Sequence, residues 1–155
     1  MLRIALCDDD IQLVGKLKMD IVKNLKDIAD EAEICTFSNG ADFLEAIQKE
    51  KKSFDILFLD IDMPDISGLS VAKFLREADE DIIIIFISCY ENYVFESLEY
   101  TPFRFIRKNR MQQELGLALK AAYALHCKNA KKYLLVRGNE GEFRIEQSTI
   151  CYFEV

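Results

Sequence analysis

The 155-residue sequence has no tryptophan, two prolines, one histidine and no excess of basic charge. Its 20 lysines and arginines are outnumbered by 27 acidic residues, which gives a formal net charge of −7. Nucleic-acid-binding domains present basic patches to the phosphate backbone, so this balance argues against DNA binding by the chain as a whole. The single histidine, His126, has no second histidine with which to form a metal site.

Long apolar segments are also missing. The longest apolar run, Ile82 to Ile87, is far too short to cross a membrane, and the run before Asp8 is too short for a signal peptide. Five cysteines are present: Cys7, Cys35, Cys89, Cys127 and Cys151. No two of them form a C-x-x-C pair, which excludes a zinc knuckle or a thioredoxin-like redox pair, and predicts reduced thiols in a cytoplasmic protein.

The sequence does contain a regular alternation of strand-length apolar runs with segments of helical period. The predicted strands are Leu2–Cys7, Ile34–Phe37, Phe54–Ile61, Ile82–Ser88 and Phe103–Arg107. The predicted helices lie after these strands, over 14–28, 40–47, 68–77, 92–100 and 109–129. The apolar positions of the first helix are Val14, Leu17, Ile21, Leu25 and Ile28. Such alternation predicts an α/β fold, a doubly wound parallel sheet of five strands, with the charged fifth strand at an edge.

Polar residues are concentrated where the predicted strands end. Asp8, Asp9 and Asp10 follow the first strand, Asp60 ends the third, Ser88 the fourth, and Lys108 follows the fifth. Ligands of doubly wound sheets bind at the carboxyl ends of the strands, so these residues are expected to lie close together.

Crowded carboxylates resist ionisation unless a cation is present, and Mg²⁺ prefers oxygen ligands. A carboxylate can also act as a nucleophile towards a phosphoryl group. Taken singly, each residue has an ordinary explanation, such as a solvated loop or, for Asp10, a helix N-cap. The presence of all these residues at the strand ends of one predicted α/β fold favours a phosphoryl-transfer site.

Four segments resemble, in order, the response-regulator receiver family over Met1 to about Asn129. They are Leu6-Cys7-Asp8-Asp9-Asp10, Asp60-Ile61-Asp62-Met63-Pro64 with Ser67-Gly68, Phe86-Ile87-Ser88, and Phe105-Ile106-Arg107-Lys108. The resemblance implies a flavodoxin-like sheet of order 2-1-3-4-5. It implies that Asp60 is the phosphoacceptor, and that Asp8, Asp9, Asp60 and the backbone carbonyl of Asp62 hold Mg²⁺.

By the same resemblance, Ser88 and Lys108 contact the phosphoryl group, Phe105 is the aromatic switch residue, and Asp62 and Tyr90 tune the phosphoryl lifetime. The implied partner is a sensor histidine kinase, and the implied role is a signalling switch that catalyses its own phosphorylation rather than a turnover enzyme. A homodimer through the fourth helix, fifth strand and fifth helix is also expected. The sequence departs from the usual family residues at three positions: Ser88 stands where Thr is commoner, Phe105 where Tyr is commoner, and Asn109 where Pro is commoner.

The tail after Asn129 does not continue the alternation. Tyr133–Arg137 and Glu142–Ile145 are predicted strands around a Gly138–Gly141 turn, and Ile150–Val155 begins another. Together with Lys131-Lys132-Tyr133, the 148–154 segment resembles the start of a LytTR-type DNA-binding domain. We therefore expect a receiver domain over 1–129 and a truncated effector domain over 130–155, with DNA bound only through the missing part. A plain hairpin extension is the alternative. Separately, the tail strands could pair between chains to form a homodimer.

Three other functions compete with this interpretation. Asp60-Ile61-Asp62 resembles the D-x-D nucleophile motif of haloacid-dehalogenase-type phosphatases, although that motif normally follows the first strand. A binding module that keeps the fold without using phosphate is a second alternative, against which the intact set of acids, serine and lysine argues. Redox sensing by Cys89 is a third, but no positive neighbour adjoins it in sequence to activate the thiol.

Overall fold

The computed structural model describes residues 1–26, 28–29, 31–130, 133–138 and 141–146. The chain divides into two compact units, 1–122 and 123–155. The first unit contains a five-stranded sheet made of β1 (Leu2–Cys7), β2 (Ala32–Phe37), β3 (Ile56–Asp60), β4 (Ile83–Ser88) and β5 (Arg104–Arg107). All neighbouring strands are parallel and their order is β2-β1-β3-β4-β5, which confirms the predicted fold class and the edge position of β5.

Five α-helices connect or follow the strands: α1 (Ile11–Leu25), α2 (Gly40–Gln48), α3 (Gly68–Glu77), α4 (Tyr93–Ser97) and α5 (Met111–Ala130). One 3₁₀ turn, Leu98–Tyr100, extends α4, and another, Lys108–Arg110, precedes α5. Side chains cap three of the helices. The carboxylate of Asp10 accepts hydrogen bonds from the backbone N–H groups of Gln12 and Leu13 at 3.0 Å, which confirms its predicted role as an N-cap.

The central strands β3 and β4 are buried along their whole length, as strands covered by helices on both faces must be. The inward face of α1 consists of Val14, Leu17, Ile21 and Leu25. The prediction was wrong for Ile28, because α1 ends at Leu25 and Ile28 lies in the partly exposed turn after it. The third strand also begins later than predicted, at Ile56, and ends at Asp60.

The second unit contains the end of α5 and an antiparallel pair, β6 (Tyr133–Gly138) and β7 (Gly141–Glu146). This pair confirms the two strands that the sequence predicts for the tail, whereas the predicted turn between them includes residues 139 and 140, which are outside the described part of the chain. The further strand expected over 150–155 lies outside the described residues. Within the part of the chain that the structure describes, no helix combines the length and apolar character needed to span a bilayer.

Candidate functional site

The carboxyl ends of β1, β3 and β5 bring two acids and one lysine into direct contact. The Nζ atom of Lys108 lies 2.8 Å from Oδ2 of Asp8 and 2.9 Å from Oδ2 of Asp60. Both aspartates are only 3% exposed. These three residues are 52 and 48 positions apart along the chain, so the sheet topology alone assembles them.

The remaining carboxylate oxygens are held by backbone amides. Oδ1 of Asp8 accepts a hydrogen bond from the N–H of Asp10 at 2.9 Å, and Oδ1 of Asp60 accepts one from Ile61 at 2.8 Å. The hydrogen bond to Asp60 directs the Ile61 N–H towards the site, at the point where β3 ends. Both carboxylates are therefore fixed in orientation as well as position.

Burial and mutual contact shift the pKa values of both Asp60 and Lys108. Burial raises the pKa of Asp60; the hydrogen bond from Lys108 opposes this rise, and the charge of Asp8 adds to it. Burial would lower the pKa of Lys108, but its hydrogen bonds and charge interactions with Asp8 and Asp60 outweigh that effect and raise it. Lys108 therefore remains protonated and is the cation of the site.

Asp9 completes an acidic cluster at this edge of the sheet. One carboxylate oxygen from each of Asp8, Asp9 and Asp60 lies within 4.8 Å of the others, and Asp9 is exposed to solvent. Three carboxylates and the Lys108 ammonium sum to a formal local charge of −3 + 1 = −2. An all-oxygen donor set with this excess of negative charge, open on one side, fits a hard divalent cation.

Ser88 is fully buried at the end of β4, on the strand next to Asp60. Its Oγ accepts a hydrogen bond from the N–H of Tyr90 at 3.1 Å. Phe105 is half-buried on β5 and packs against the core, while Asp62 and Tyr90 are exposed beside the site. All the residues that the sequence predicts for the site thus lie at the carboxyl edge of the sheet or on the strand beside it.

Two features of the site were not given a role by sequence reasoning. The N-terminus of α3 packs against the backbone of Asp60 so closely that a Cβ atom at Gly68 would lie 2.0 Å from the Asp60 carbonyl oxygen. Arg107, next to Lys108, forms ion pairs with Glu91 and Glu114. The Ser67-Gly68 pair belongs to the motif quoted from the sequence, so the close approach at Gly68 could have been predicted. No local sequence pattern indicates the ion pairs of Arg107.

The described cysteines, Cys7, Cys35, Cys89 and Cys127, are free thiols. Cys7 lies beneath the site, where its Sγ contacts the Asn39 carbonyl oxygen at 3.4 Å. Burial, together with the charges of Asp8 and Asp60, raises the pKa of Cys7 to about 12. This thiol is therefore un-ionised at neutral pH and does not act as a nucleophile in the site.

The fold and this cluster of acids with a lysine define a class of signalling domains that take part in two-component phosphotransfer. The chain belongs to the response regulator receiver domain family, whose match covers residues 4–120. It is therefore a signalling domain and not a turnover phosphatase, which answers the D-x-D alternative raised by the sequence.

Curated relatives include sensory transduction proteins called LytT. The chain is 30% identical to LytT of Oceanobacillus iheyensis over 113 residues, which cover 72% of this chain and 44% of that protein. LytT of Bacillus subtilis is 28% identical over 119 residues, 74% of this chain and 47% of that protein. The chain thus spans less than half the length of these relatives.

Solved receiver structures share the fold. The response regulatory domain of mrkE from Klebsiella pneumoniae superposes with a TM-score of 0.73 at 20% identity, covering 82% of this chain and 99% of that one. The response regulator TrrA from Thermotoga maritima, solved in complex with Mg²⁺-BeF, has a TM-score of 0.66 at 29% identity, covering 79% of this chain and 99% of that one.

Proposed function

We propose that this receiver domain accepts a phosphoryl group on Asp60 from a sensor histidine kinase or a small phosphodonor. The observation that carries the proposal is the contact of Lys108 Nζ with Asp60 and Asp8 inside a cluster of three carboxylates. Phosphoryl transfer depends mainly on positioning and on neutralising charge, and this site supplies a fixed carboxylate nucleophile beside a protonated lysine.

In the proposed reaction, a carboxylate oxygen of Asp60 attacks phosphorus and the bond to the donor breaks. The product is an acyl phosphate on Asp60, and the donor leaves with the bonding electrons. Lys108, already within reach of Asp60 Oδ2, would move its hydrogen bond to a phosphoryl oxygen. The Ser88 hydroxyl, at the end of the neighbouring strand β4, would contact another phosphoryl oxygen.

The proposed cofactor is Mg²⁺, held by Asp8, Asp9 and Asp60 together with the backbone carbonyl of Asp62. When bound, the ion would neutralise the charge of the transferring phosphoryl group. The donor set supports this assignment because it consists of oxygens with an excess of negative charge. TrrA, solved with Mg²⁺-BeF, offers a precedent among similar structures.

Phosphorylation is a local change of charge that biases a two-state element. We propose that Ser88 moves towards the phosphoryl group and that Phe105 turns into the space beneath it. The surface of α4, β5 and α5 would then change, which alters homodimerisation or contact with an output domain. Asp62 and Tyr90, both exposed beside the site, would tune the lifetime of the phosphoryl group.

For the whole protein, we propose transcriptional regulation through a LytTR-type DNA-binding domain. The similarity to LytT proteins and the β6–β7 hairpin are consistent with this proposal. Under it, residues 1–129 are the receiver domain and residues 130–155 begin the effector domain.

The decisive experiment is the intact mass after incubation with acetyl phosphate and Mg²⁺. The wild type and Asp65→Asn are expected to gain one phosphoryl group, and Asp60→Asn none, because an amide oxygen is not a competent acceptor. Asp65 is an exposed aspartate near the site with φ 66°, a conformation that asparagine also tolerates, which makes it the matched control. Stable phosphate on Asp60→Asn would reassign the acceptor, and no gain in the wild type with any donor would favour a phosphate-independent module.

Binding of Mg²⁺ is expected to raise the free energy of unfolding by about 2.7 kcal/mol at a free concentration of 100 times Kd. Urea unfolding with and without Mg²⁺ measures this increase. Asp9→Asn should lose most of it, because Asp9 is the exposed ligand of the cluster, whereas Asp79→Asn, an exposed aspartate in another loop, should keep it. An equal Mg²⁺ effect in both variants would remove Asp9 from the ligand set.

A further inference from the structure

Arg107 lies between two acids that belong to different elements. Its Nη1 atom is 2.5 Å from Oε1 of Glu91, in the loop after β4, and its Nη2 atom is 3.9 Å from Oε1 of Glu114 in α5. The Arg107 and Glu114 side chains are about one-third exposed, whereas Glu91 is 67% exposed. The guanidinium therefore ties a solvent-facing loop to the edge strand of the sheet.

That loop also holds the hydroxyl of Ser88. Residues 88–91, here called the switch loop, contain both Tyr90, whose N–H donates to Ser88 Oγ at 3.1 Å, and Glu91. Ser88 and Arg107 are partners across the β4–β5 ladder. The Ser88 hydroxyl can therefore move towards Asp60 only if the switch loop follows it or this hydrogen bond breaks, and the loop is fastened to Arg107 through Glu91.

Arg107 is also next to Lys108, the second residue that is proposed to contact the phosphoryl group. It immediately precedes Lys108, whose Nζ contacts Asp8 and Asp60. Arg107 thus holds the switch loop through Glu91 and is bonded directly to Lys108, which begins the 3₁₀ turn after β5. This arrangement links the two groups, Ser88 and Lys108, that are proposed to contact the phosphoryl group.

We propose that Arg107 is a positioning residue that restrains the switch loop through its ion pair with Glu91, and that phosphorylation works against this restraint. The inference rests on the proposed function, because it concerns the regulation of the same site. Loss of the ion pair removes an interaction that favours the unphosphorylated arrangement. Loss of the pair should therefore speed phosphorylation of Asp60.

The expected effect is modest and measurable. Ion pairs at exposed positions contribute up to about 1 kcal/mol, which corresponds to a rate increase of up to about five-fold. Glu91→Gln is the test variant, and the measurement is the rate of phosphoryl gain by intact mass with acetyl phosphate and Mg²⁺. Glu77→Gln is the matched control, because Glu77 is a 66% exposed glutamate paired with Lys73 on α3, away from the site.

A second comparison separates restraint by the pair from simple removal of a negative charge near an anionic donor. If the ion pair is the cause, Glu91→Gln should have no effect in an Arg107→Gln background, whereas simple removal of a repulsive charge should speed phosphorylation in either background. Glu91→Asp keeps the charge but shortens the side chain by one methylene group, so it should speed phosphorylation if the pair with Arg107 is the restraint and match the wild type if only the charge matters. Additive effects of Glu91→Gln and Arg107→Gln, or a Glu91→Gln rate equal to that of Glu77→Gln, would overturn the inference while leaving Asp60 phosphorylation intact. A wild type that takes no phosphate would overturn the proposed function and the inference with it.

Discussion

Replacing Lys108 with methionine is expected to destabilise the first unit by about 3 kcal/mol at neutral pH without divalent cations. Methionine keeps most of the length of lysine and removes its charge. Asp8 and Asp60, each 3% exposed, would then remain buried without the ammonium that now contacts both of them. Truncating one partner of a buried ion pair is costly because the other charges stay in place without compensation.

The size of this loss should depend on pH. Burial already raises the pKa of Asp60 against the opposing effect of Lys108, and removal of Lys108 raises it further. When the pKa of a carboxyl group is higher in the folded than in the unfolded chain, the group lowers the free energy of unfolding as the pH rises between those two pKa values. The penalty of Lys108→Met should therefore be largest at neutral pH and decrease as the pH falls, because protonation of Asp60 relieves the uncompensated charge.

Urea unfolding of Lys108→Met and wild type over a series of pH values from neutral to acidic measures this difference. Lys73→Met is the control, because Lys73 is 62% exposed and its pair with Glu77 is 3.9 Å long, so little change is expected. Adding Asp60→Asn to Lys108→Met should restore part of the lost stability by removing one buried charge. A loss that is independent of pH, or a double variant no more stable than Lys108→Met, would show that the lysine acts through packing alone.

The features predicted correctly from the sequence are those with a periodic or positional signal. The continuous apolar runs of β3 and β4 indicate strands covered on both faces, because helices flank them in the fold. Asp8, Asp60 and Lys108 could be placed together because the carboxyl ends of parallel strands share one edge of a sheet. The sheet order followed from family resemblance, since the apolar pattern is the same for several orders.

The features that were not predicted from the sequence depend on contacts that produce no local sequence pattern. Arg107 occupies a charged position of an edge strand, which looks like an ordinary solvated face, and its partners lie 16 positions before it and 7 after it. Arg76 is a similar case: its guanidinium donates to the carbonyl oxygens of Tyr100, Glu80 and Ile82 at 2.9–3.1 Å. Backbone carbonyl partners are the same for every residue type, so the sequence cannot reveal them.

Gly68→Ala is expected to have the second large effect, because the space beside Gly68 is already occupied by backbone. An added Cβ would lie 2.0 Å from the carbonyl oxygen of Asp60 and 2.9 Å from Cα of Ile61. A flexible side chain could rotate away, but these atoms belong to the end of β3. Either the first turn of α3 or the end of β3 must move, which also strains the hydrogen bond from Gly68 N to the Ile61 carbonyl at 2.9 Å.

We expect Gly68→Ala to lower the free energy of unfolding by about 3 kcal/mol, the upper range for overpacking. A displacement of Asp60 by about 1 Å would in addition slow phosphorylation by about 100-fold. Gly15→Ala is the matched control: Gly15 lies within α1, a Cβ there meets nothing within 4 Å, and alanine should stabilise the helix by about 0.5–1 kcal/mol. Urea unfolding and the phosphorylation rate of both variants test the argument. A Gly68→Ala protein that matches the wild type in both measurements would mean that α3 can retreat without moving Asp60, and that the close approach at Gly68 does not position Asp60.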